Sequence, residues 1–487
     1  MALGEKKARK IIRNYECEQI NNKDRQFDEA LAKRMQEDDF YATEGDVDLT
    51  EEQKAVVDEF WKPYEFAFKT PYITAKTYMN RNGEFDPTIL PYGVRNVLLS
   101  EHLRDDHYRV AFQNKAYLGK IYSGIKQPKI VCRKIEGIYY DENYNVISVN
   151  EAIKLCQETL ERIEIVIKPS GLCGGAGVVF LKEATEEQLR AEFKKIPKLM
   201  VVQEALKQHP KMAELNPTTV NTVRLTTYMN GKTVVPLAAL IKIGNAGVRV
   251  DNYKHGGHIL GVNMDGKSKK WALNVERQRV TVLPTGIDLS EGIEIPGFES
   301  VLETAKRAHY QTPRMKVISW DIAIDESAEA VIIEANFGGD WRMHHAVTGS
   351  IFGDLMKDFL DKYLVKKFYR ERANFDFNFN EYFGYVEITK YGGLDKKVVI
   401  PEKINDKPVK VIGEKAFADN DDIVSVKIPD TVEEIKARAF ARCKNLESIK
   451  GGKMLKKIDA VVFVNSPKLA DKYNKNLRAI AKKNKNK

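Results

Sequence analysis

Three oxygen-bearing side chains, Asp321, Glu334 and Asn336, lie on two apolar runs, Ile318-Ser319-Trp320-Asp321-Ile322-Ala323-Ile324 and Val331-Ile332-Ile333-Glu334-Ala335-Asn336-Phe337. Isolated charges in apolar strands are costly unless they are paired or bind metal. Glu334 and Asn336 are two apart and so face one side of a strand. The polar turn Asp325-Glu326-Ser327 lets a hairpin bring Asp321, 13 residues before Glu334 (334 − 321), beside them. Three hard oxygen ligands on one face suit Mg2+. The plainer reading is that these carboxylates cap or pair with lysines.

A second segment of interest runs Ile165-Val166-Ile167-Lys168-Pro169-Ser170-Gly171-Leu172-Cys173-Gly174-Gly175-Ala176-Gly177-Val178-Val179-Phe180. An apolar strand delivers a lysine to its end, and a glycine-rich turn leads into another strand. Glycines let backbone N–H groups close around phosphate oxygens, and the lysine adds a fixed positive charge. No Lys-Ser/Thr follows the last glycine as in a P-loop, and there is no GxGxxG opening a helix. A strand-loop-strand clamp remains. By itself such a hairpin is more often just a turn; the acidic cluster downstream shifts the balance toward a phosphate clamp. Cys173 reads as a small apolar filler. His344-His345 are adjacent, too close for both rings to face one ion, so solvent or capping duty is expected of them. His209 and His255 are better placed.

These segments need elements to hold them. Residues 1–110 read as a mostly helical N-terminal region: Leu31 and Met35 lie on one stretch, and Thr50 and Gln53 have capping-box spacing ahead of an apolar stripe of Val56, Val57, Phe60 and Trp61. From 111 to 368 short β-branched strands, such as Lys129-Ile130-Val131, Ile163 to Ile167 and Leu199 to Val202, alternate with helical segments. A helix over Ile351 to Leu364 closes the region. A polar linker is expected at 369–384. From 385 to 470 one pattern returns every 23 residues: Ile412, Phe417, Asn420, Ile423; then Ile435, Phe440, Cys443, Leu446; then Ile458, Phe463, Ser466, Leu469. Fixed self-similarity at that period marks leucine-rich repeats, whose units bury their apolar faces only by stacking. Residues 471–487 read as a basic tail.

Composition bounds the rest. The 487 residues exceed one ordinary core, and 43% hydrophobic with 30% charged residues is typical of soluble domains. No apolar run approaches the roughly 18 residues of a membrane span. The basic N-terminus lacks the apolar stretch of a secretory signal. Five scattered cysteines without CxxC spacing suit a reducing compartment, so a cytoplasmic location is expected. A charge of +9 spread over this length supports weak attraction to anionic partners and no specific nucleic-acid site.

The sequence resembles the sugar-transfer-associated ATP-grasp family of the ATP-grasp superfamily, from about residue 40 to 365. The resemblance rests on an ordered set: Phe85-Asp86-Pro87, Asn114-Lys115, Val166-Ile167-Lys168-Pro169-Ser170, Asn221-Thr222-Val223-Arg224, Ile243-Gly244, Val250-Asp251-Asn252-Tyr253, Gly256-Gly257, Trp320-Asp321 and Glu334-Ala335-Asn336. Residues 385–470 resemble BspA-like leucine-rich repeats. The fold expected is therefore α+β, an ATP-grasp domain with a helical N-terminal region and a small C-terminal solenoid. The resemblance implies that ATP and Mg2+ are bound. Lys115 and Lys168 would hold phosphates under the loop carrying Gly171, Gly174, Gly175 and Gly177. Val202-Gln203-Glu204-Ala205-Leu206 stands at the hinge, with Gln203 and Leu206 at the adenine edge, and Asn221 is a further nucleotide contact. Asp321, Glu334 and Asn336 match the metal positions. Arg224, Asn252 and His255 would lie near the γ-phosphate and second substrate; a salt bridge from Arg224 to a core acid is the other reading. The implied activity is that of a carboxylate ligase working through an acyl phosphate, in polysaccharide or cell-surface glycan modification, with a sugar or amino acid as acceptor. Phosphate transfer to a sugar hydroxyl, or a nucleotide-binding scaffold, are the alternatives. The repeats would meet a protein partner.

Overall fold

Runs of β-branched residues between turn formers give strands, and in the computed structural model they assemble into antiparallel sheets and a stacked solenoid. The structure describes residues 43, 45–64, 70–99, 103–170, 176–245, 247, 249, 253, 256–338, 341–365, 377–393, 395–469 and 471–484. Leu31 and Met35 lie outside these. The chain divides into two units, Met1–Met356 and Lys357–Lys487, and the class is α+β.

Among its described residues the first unit begins with two helices, α1 Glu51–Trp61 and α2 Tyr72–Asn82. Thr50 and Gln53 form the expected capping box, satisfying two backbone donors that α1 would otherwise leave unpaired. Of the expected stripe, Val57 and Trp61 are buried, whereas Val56 is 44% exposed and faces outward.

A six-stranded sheet follows: β1 Ile130–Ile135, β2 Ile138–Tyr140, β3 Val146–Ile147, β4 Ile165–Pro169, β5 Val179–Leu181 and β6 Leu199–Glu204, in the order β3-β2-β1-β6-β4-β5. Helices α3 Val149–Leu160 and α4 Glu186–Lys195 cover one face, where Cys132, Ile153, Ile167, Leu189, Phe193 and Val202 form a core. On the other face the short 3-10 turn Lys115–Tyr117 packs Ala116 against Val201.

The second sheet has seven antiparallel strands: β7 Thr222–Asn230, β8 Thr233–Ile243, β9 His258–Val262, β10 Ser268–Leu273, β11 Arg279–Val280, β12 Val317–Ile324 and β13 Ala330–Asn336, ordered β11-β10-β9-β8-β7-β12-β13. Its apolar face, with Val223, Leu225, Ile241, Ile318, Trp320 and Ile322, packs on helix α5 Phe298–Tyr310. The opposite face is polar in the middle and is roofed in part by helix α6 Arg342–Thr348. That helix comes so close to β9 that a Cβ on Gly261 would stand 2.6 Å from the Val347 carbonyl oxygen, which is why glycine is required there. The helix expected over 351–364 is broken into three short pieces, Gly353–Leu355, Met356–Leu360 and Asp361–Val365, and the unit boundary falls within them.

In the second unit, β14 Phe377–Tyr382 already lies in the stretch expected as linker and pairs with β15 Tyr385–Tyr391. The 23-residue pattern winds into parallel ladders. One joins β15, β18 Lys407–Ile412, β20 Glu434–Ile435 and β22 Lys457–Ile458; the other joins β16 Lys397–Val399, β19 Ser425–Ile428 and β21 Ser448–Gly451. A short strand, β17 Lys403–Ile404, pairs with β18. Each repeat sends one phenylalanine inward, and Phe417, Phe440 and Phe463 stack at 4.7 and 5.8 Å between ring centres. The basic tail is a helix, α7 Asp471–Asn484, that buries Leu477 and Ala481 in the repeat core. Among the described residues no helix is long and apolar enough to cross a membrane.

Candidate functional site

Alternation along strands puts Arg224 on the polar face of the seven-stranded sheet, and pairing register decides what it meets. Arg224 stands opposite Asp321, and Asp321 stands opposite Glu334, so the three form one row across β7, β12 and β13. Asn336 stands opposite Ser319, one step along the same face. The juxtaposition of Asp321, Glu334 and Asn336 expected from a hairpin is thus present.

The row is bound together by charge. Arg224 Nε and Nη2 donate to the two oxygens of Asp321, each at 2.8 Å, in the planar fork geometry only arginine offers. Lys242 Nζ and Asn336 Nδ2 both donate to Asp321 Oδ2 at 3.2 Å. Burial alone pushes the Asp321 carboxyl up, but the Arg224 and Lys242 charges more than offset it and hold it far below the usual carboxylate range. The salt-bridge reading of Arg224 therefore holds, and the acid it meets is itself a predicted site residue. Lys242 was not anticipated; its only signal was a charge on the apolar strand Thr233–Ile243.

The second element comes from the six-stranded sheet. Asn114 caps the turn Lys115–Tyr117 by accepting from Ala116 N at 3.0 Å, and Ser170 Oγ donates to Asn114 Oδ1 at 2.6 Å while accepting from Ala116 N at 2.9 Å. This ties Asn114-Lys115 to the end of β4, where Lys168 pairs in register with Val201 on the face carrying Ala116. Lys115 Nζ then reaches Glu334 Oε1 at 3.2 Å, so the lysine turn of one sheet meets the acidic row of the other.

Beneath Arg224 lies a buried polar layer. Thr226 Oγ1 is 2.8 Å from Ser319 Oγ and 3.1 Å from His344 Nε2. His344 is fully buried, and desolvation, with the Arg224 charge nearby, pushes it down to about 3, so it is neutral. His345 is also buried and its Nδ1 donates to Gly349 O at 3.0 Å. Neither histidine faces solvent, which corrects one half of the expectation; capping holds for His345. Further along β7, Trp320 Nε1 donates to Thr227 Oγ1 at 2.8 Å, and His309 bridges Thr227 and Met315 O, each at 2.7 Å. Burial pushes His309 down to about 4.

Other predicted residues take different places. Gln203 is buried in β6, opposite Ile130 and Val166; Glu204 follows it and pairs with the exposed cations Lys129 and Arg162; Leu206 lies half-buried beyond the strand. Asn221 is fully buried with its amide donating to Met212 O at 2.7 Å and Asn216 O at 2.9 Å, so its side chain holds a loop together. Gly177 has a φ of +72° in the turn before β5. His209 caps a short helix by accepting from Lys211 N at 3.2 Å. Gly171, Gly174, Gly175, Asn252 and His255, with Cys173, lie outside the described residues.

The site as built is a row of two carboxylates and an amide flanked by Lys115, Lys242 and Arg224. Its donors are all hard oxygens on one face, which fits Mg2+; a cation held there would share Asp321 with the cationic side chains that already bind it.

Two family models match the chain, one in each unit. A family described as sugar-transfer associated ATP-grasp matches residues 107–351, and the BspA type leucine rich repeat region matches 397–483 in six copies. No curated protein is significantly similar to the chain. Among solved structures, a leucine-rich repeat protein of T. pallidum is 30% identical over 20% of this chain and 45% of its own, with a TM-score of 0.19. The biotin carboxylase domain of a Hydrogenobacter thermophilus 2-oxoglutarate carboxylase, solved with MgADP, ADP and bicarbonate, is 12% identical over 48% of this chain and 44% of its own, with a TM-score of 0.29. D-alanyl-alanine synthetase A from Vibrio cholerae is 10% identical over 52% and 63%, with a TM-score of 0.31. The chain spans less than two thirds of the length of each.

Proposed function

The chain belongs to the sugar-transfer associated ATP-grasp family, and from that premise we propose that it is an ATP- and Mg2+-dependent carboxylate ligase acting through an acyl phosphate in the modification of a polysaccharide or cell-surface glycan. The observation that carries this reading is the 3.2 Å approach of Lys115 to Glu334, which joins a phosphate-type lysine turn to a hard-oxygen row. Lys115 and Lys168 hold the ATP phosphates from one sheet, and Lys242 joins them from the other. The loop carrying Gly171, Gly174, Gly175 and Gly177 covers the phosphates, and backbone groups of Gln203 and Leu206 meet the adenine edge. Asp321, Glu334 and Asn336 would hold Mg2+, which when bound neutralises charge on the moving phosphoryl group. Arg224, Asn252 and His255 orient the carboxylate.

A carboxylate oxygen attacks the γ-phosphorus, an O–P bond forms, and ADP leaves with the electrons of the bond broken. An amine or hydroxyl then attacks the carbonyl carbon, loses its proton, and expels inorganic phosphate. Charge neutralisation and positioning do most of this, and no nucleophilic side chain is needed.

The test is carboxylate-stimulated ADP release in the presence of hydroxylamine. An acyl phosphate is trapped as a hydroxamate. ADP release stimulated by sugars, with phosphorylated sugar and no hydroxamate, would instead mark a phosphotransferase; no ATP turnover with any acid or sugar would leave a scaffold.

A further inference from the structure

Charge is unevenly shared along this chain. Residues 436–487 hold sixteen Lys and Arg against three Asp and Glu, a net +13 (16 − 3), while the whole chain carries +9, so everything before them is net −4 (9 − 13). The structure shows how the excess arises. Acids on one turn of the solenoid meet bases 23 residues later on the next: Asp419 with Arg442, Asp421 with Lys444, Asp430 with Lys453, Glu433 with Lys456. One period beyond those bases stand Asn465, Pro467, Asn476 and Ala479, none of which is charged. The ladder therefore spends its acids on the earlier turn and ends on bases. Arg438, Lys450, Lys475, Lys482 and Lys483 are exposed and have no acidic partner among the described residues. Like charges this dense repel one another, a cost that an anionic surface removes.

The lysines are not on a loose end. Helix α7 is held to the repeats by Leu477 and Ala481, by Asn484 Nδ2 donating to Lys453 O at 2.7 Å and Leu455 O at 3.0 Å, and by Arg478 donating to Ala460 O at 2.9 Å. Its apolar side is spent on the core, so the helix displays its cations on a fixed frame. The large apolar side chains exposed among these basic residues are Met454, Val461 and Val464. All are aliphatic, Phe463 is stacked on Phe440, and Tyr473 is half-buried, so no fully exposed ring stands among the described residues here for the base stacking that single-stranded nucleic acid would use. Cations set among exposed aliphatic groups suit the headgroup layer of an anionic bilayer.

We propose that the last turns of the solenoid and helix α7 form a docking surface for a negatively charged bilayer, holding the protein at a membrane peripherally. This does not depend on the reaction assigned to the first unit. The test is co-sedimentation of the full chain with vesicles of phosphatidylcholine containing about 30 mol% phosphatidylserine, or none, at about 0.15 M salt. Binding is expected to the anionic vesicles only, with release at high salt. Lys450→Glu with Lys475→Glu, Lys482→Glu and Lys483→Glu should weaken it tenfold or more while leaving Tm and ATP turnover unchanged. Met454→Ser with Val461→Ser and Val464→Ser should weaken vesicle binding but not retention on heparin. Failure to bind anionic vesicles, binding indifferent to the four charge reversals, or heparin or RNA bound while vesicles are ignored would each overturn the proposal.

Discussion

The protein contains the same ion pair in two settings. Arg442 grips Asp419 through Nε and Nη2 at 2.6 Å, and Arg224 grips Asp321 through the same two nitrogens at 2.8 Å. The first pair has side chains 44% and 63% exposed, whereas the second is 15% and 5% exposed. Water screens the solenoid pair, which does little more than keep successive turns in register. The buried pair cannot be screened, so each partner obliges the other, and Lys242 and Asn336 are drawn onto the same carboxylate. Identical geometry is surface decoration in one unit and the centre of the candidate site in the other.

Removing the acid from each pair should separate the two settings most widely. Asp321→Ala leaves Arg224 and Lys242 without their anion and should cost about 3–5 kcal/mol of stability, with Mg-ATP turnover lost. Asp419→Ala should cost about 1 kcal/mol or less and leave turnover alone. Denaturant unfolding of both variants checks this, and equal losses would show that burial does not separate the pairs.

Acid should likewise divide the two units. His344 and His309, pushed down to about 3 and about 4, refuse protons that the unfolded chain accepts below about pH 6.5. Folded values lowered in this way mean that stability is whole above about 6.5 and is lost as pH falls toward the folded values, by about 1.4 kcal/mol per pH unit for each group. Asp321, whose folded value is also lowered, adds a further loss below the unfolded carboxylate value of about 3.9. The residues from Lys357 onward contain no histidine. Between pH 7 and 5 the melting of the first unit should therefore fall while that of the solenoid holds, and His344→Asn should flatten the dependence.

A smaller effect is expected from Arg224→Lys, which keeps charge but loses the fork. kcat/KM should drop about tenfold or more, on the order of 1.4 kcal/mol, with the folded fraction retained. If activity per folded molecule is unchanged, Arg224 serves only the core. Smallest of all, the coupling between Arg442 and Asp419 in a double-mutant cycle should stay below about 1 kcal/mol and shrink with salt.

Much of this arrangement could be read from the residues because it is local. The 13-residue interval from Asp321 to Glu334 and the two-residue step to Asn336 fix a hairpin face, and the 23-residue period fixes the solenoid, since both depend on neighbours in the chain. The reach of Lys242 to Asp321 was hidden because the register of β8 against β7 decides it, and no spacing encodes that. The bond from Ser170 to Asn114 spans 56 residues and was equally hidden. Asn221 misled because a polar residue at a strand entry can face a ligand or a loop, and only the fold chooses the loop. His344 offered no sign that helix α6 would bury it against Thr226.

We propose that the row of Asp321, Glu334 and Asn336, met by Lys115, is where Mg-ATP binds. Calorimetric titration of Mg-ATP into the wild-type chain and into Glu334→Gln tests it most directly, because Glu334 is partly open and its loss should leave the fold intact, with Glu387→Gln in the solenoid as the control. Binding is expected to the wild type and to Glu387→Gln, with affinity weakened tenfold or more in Glu334→Gln; full affinity in Glu334→Gln would place Mg-ATP elsewhere.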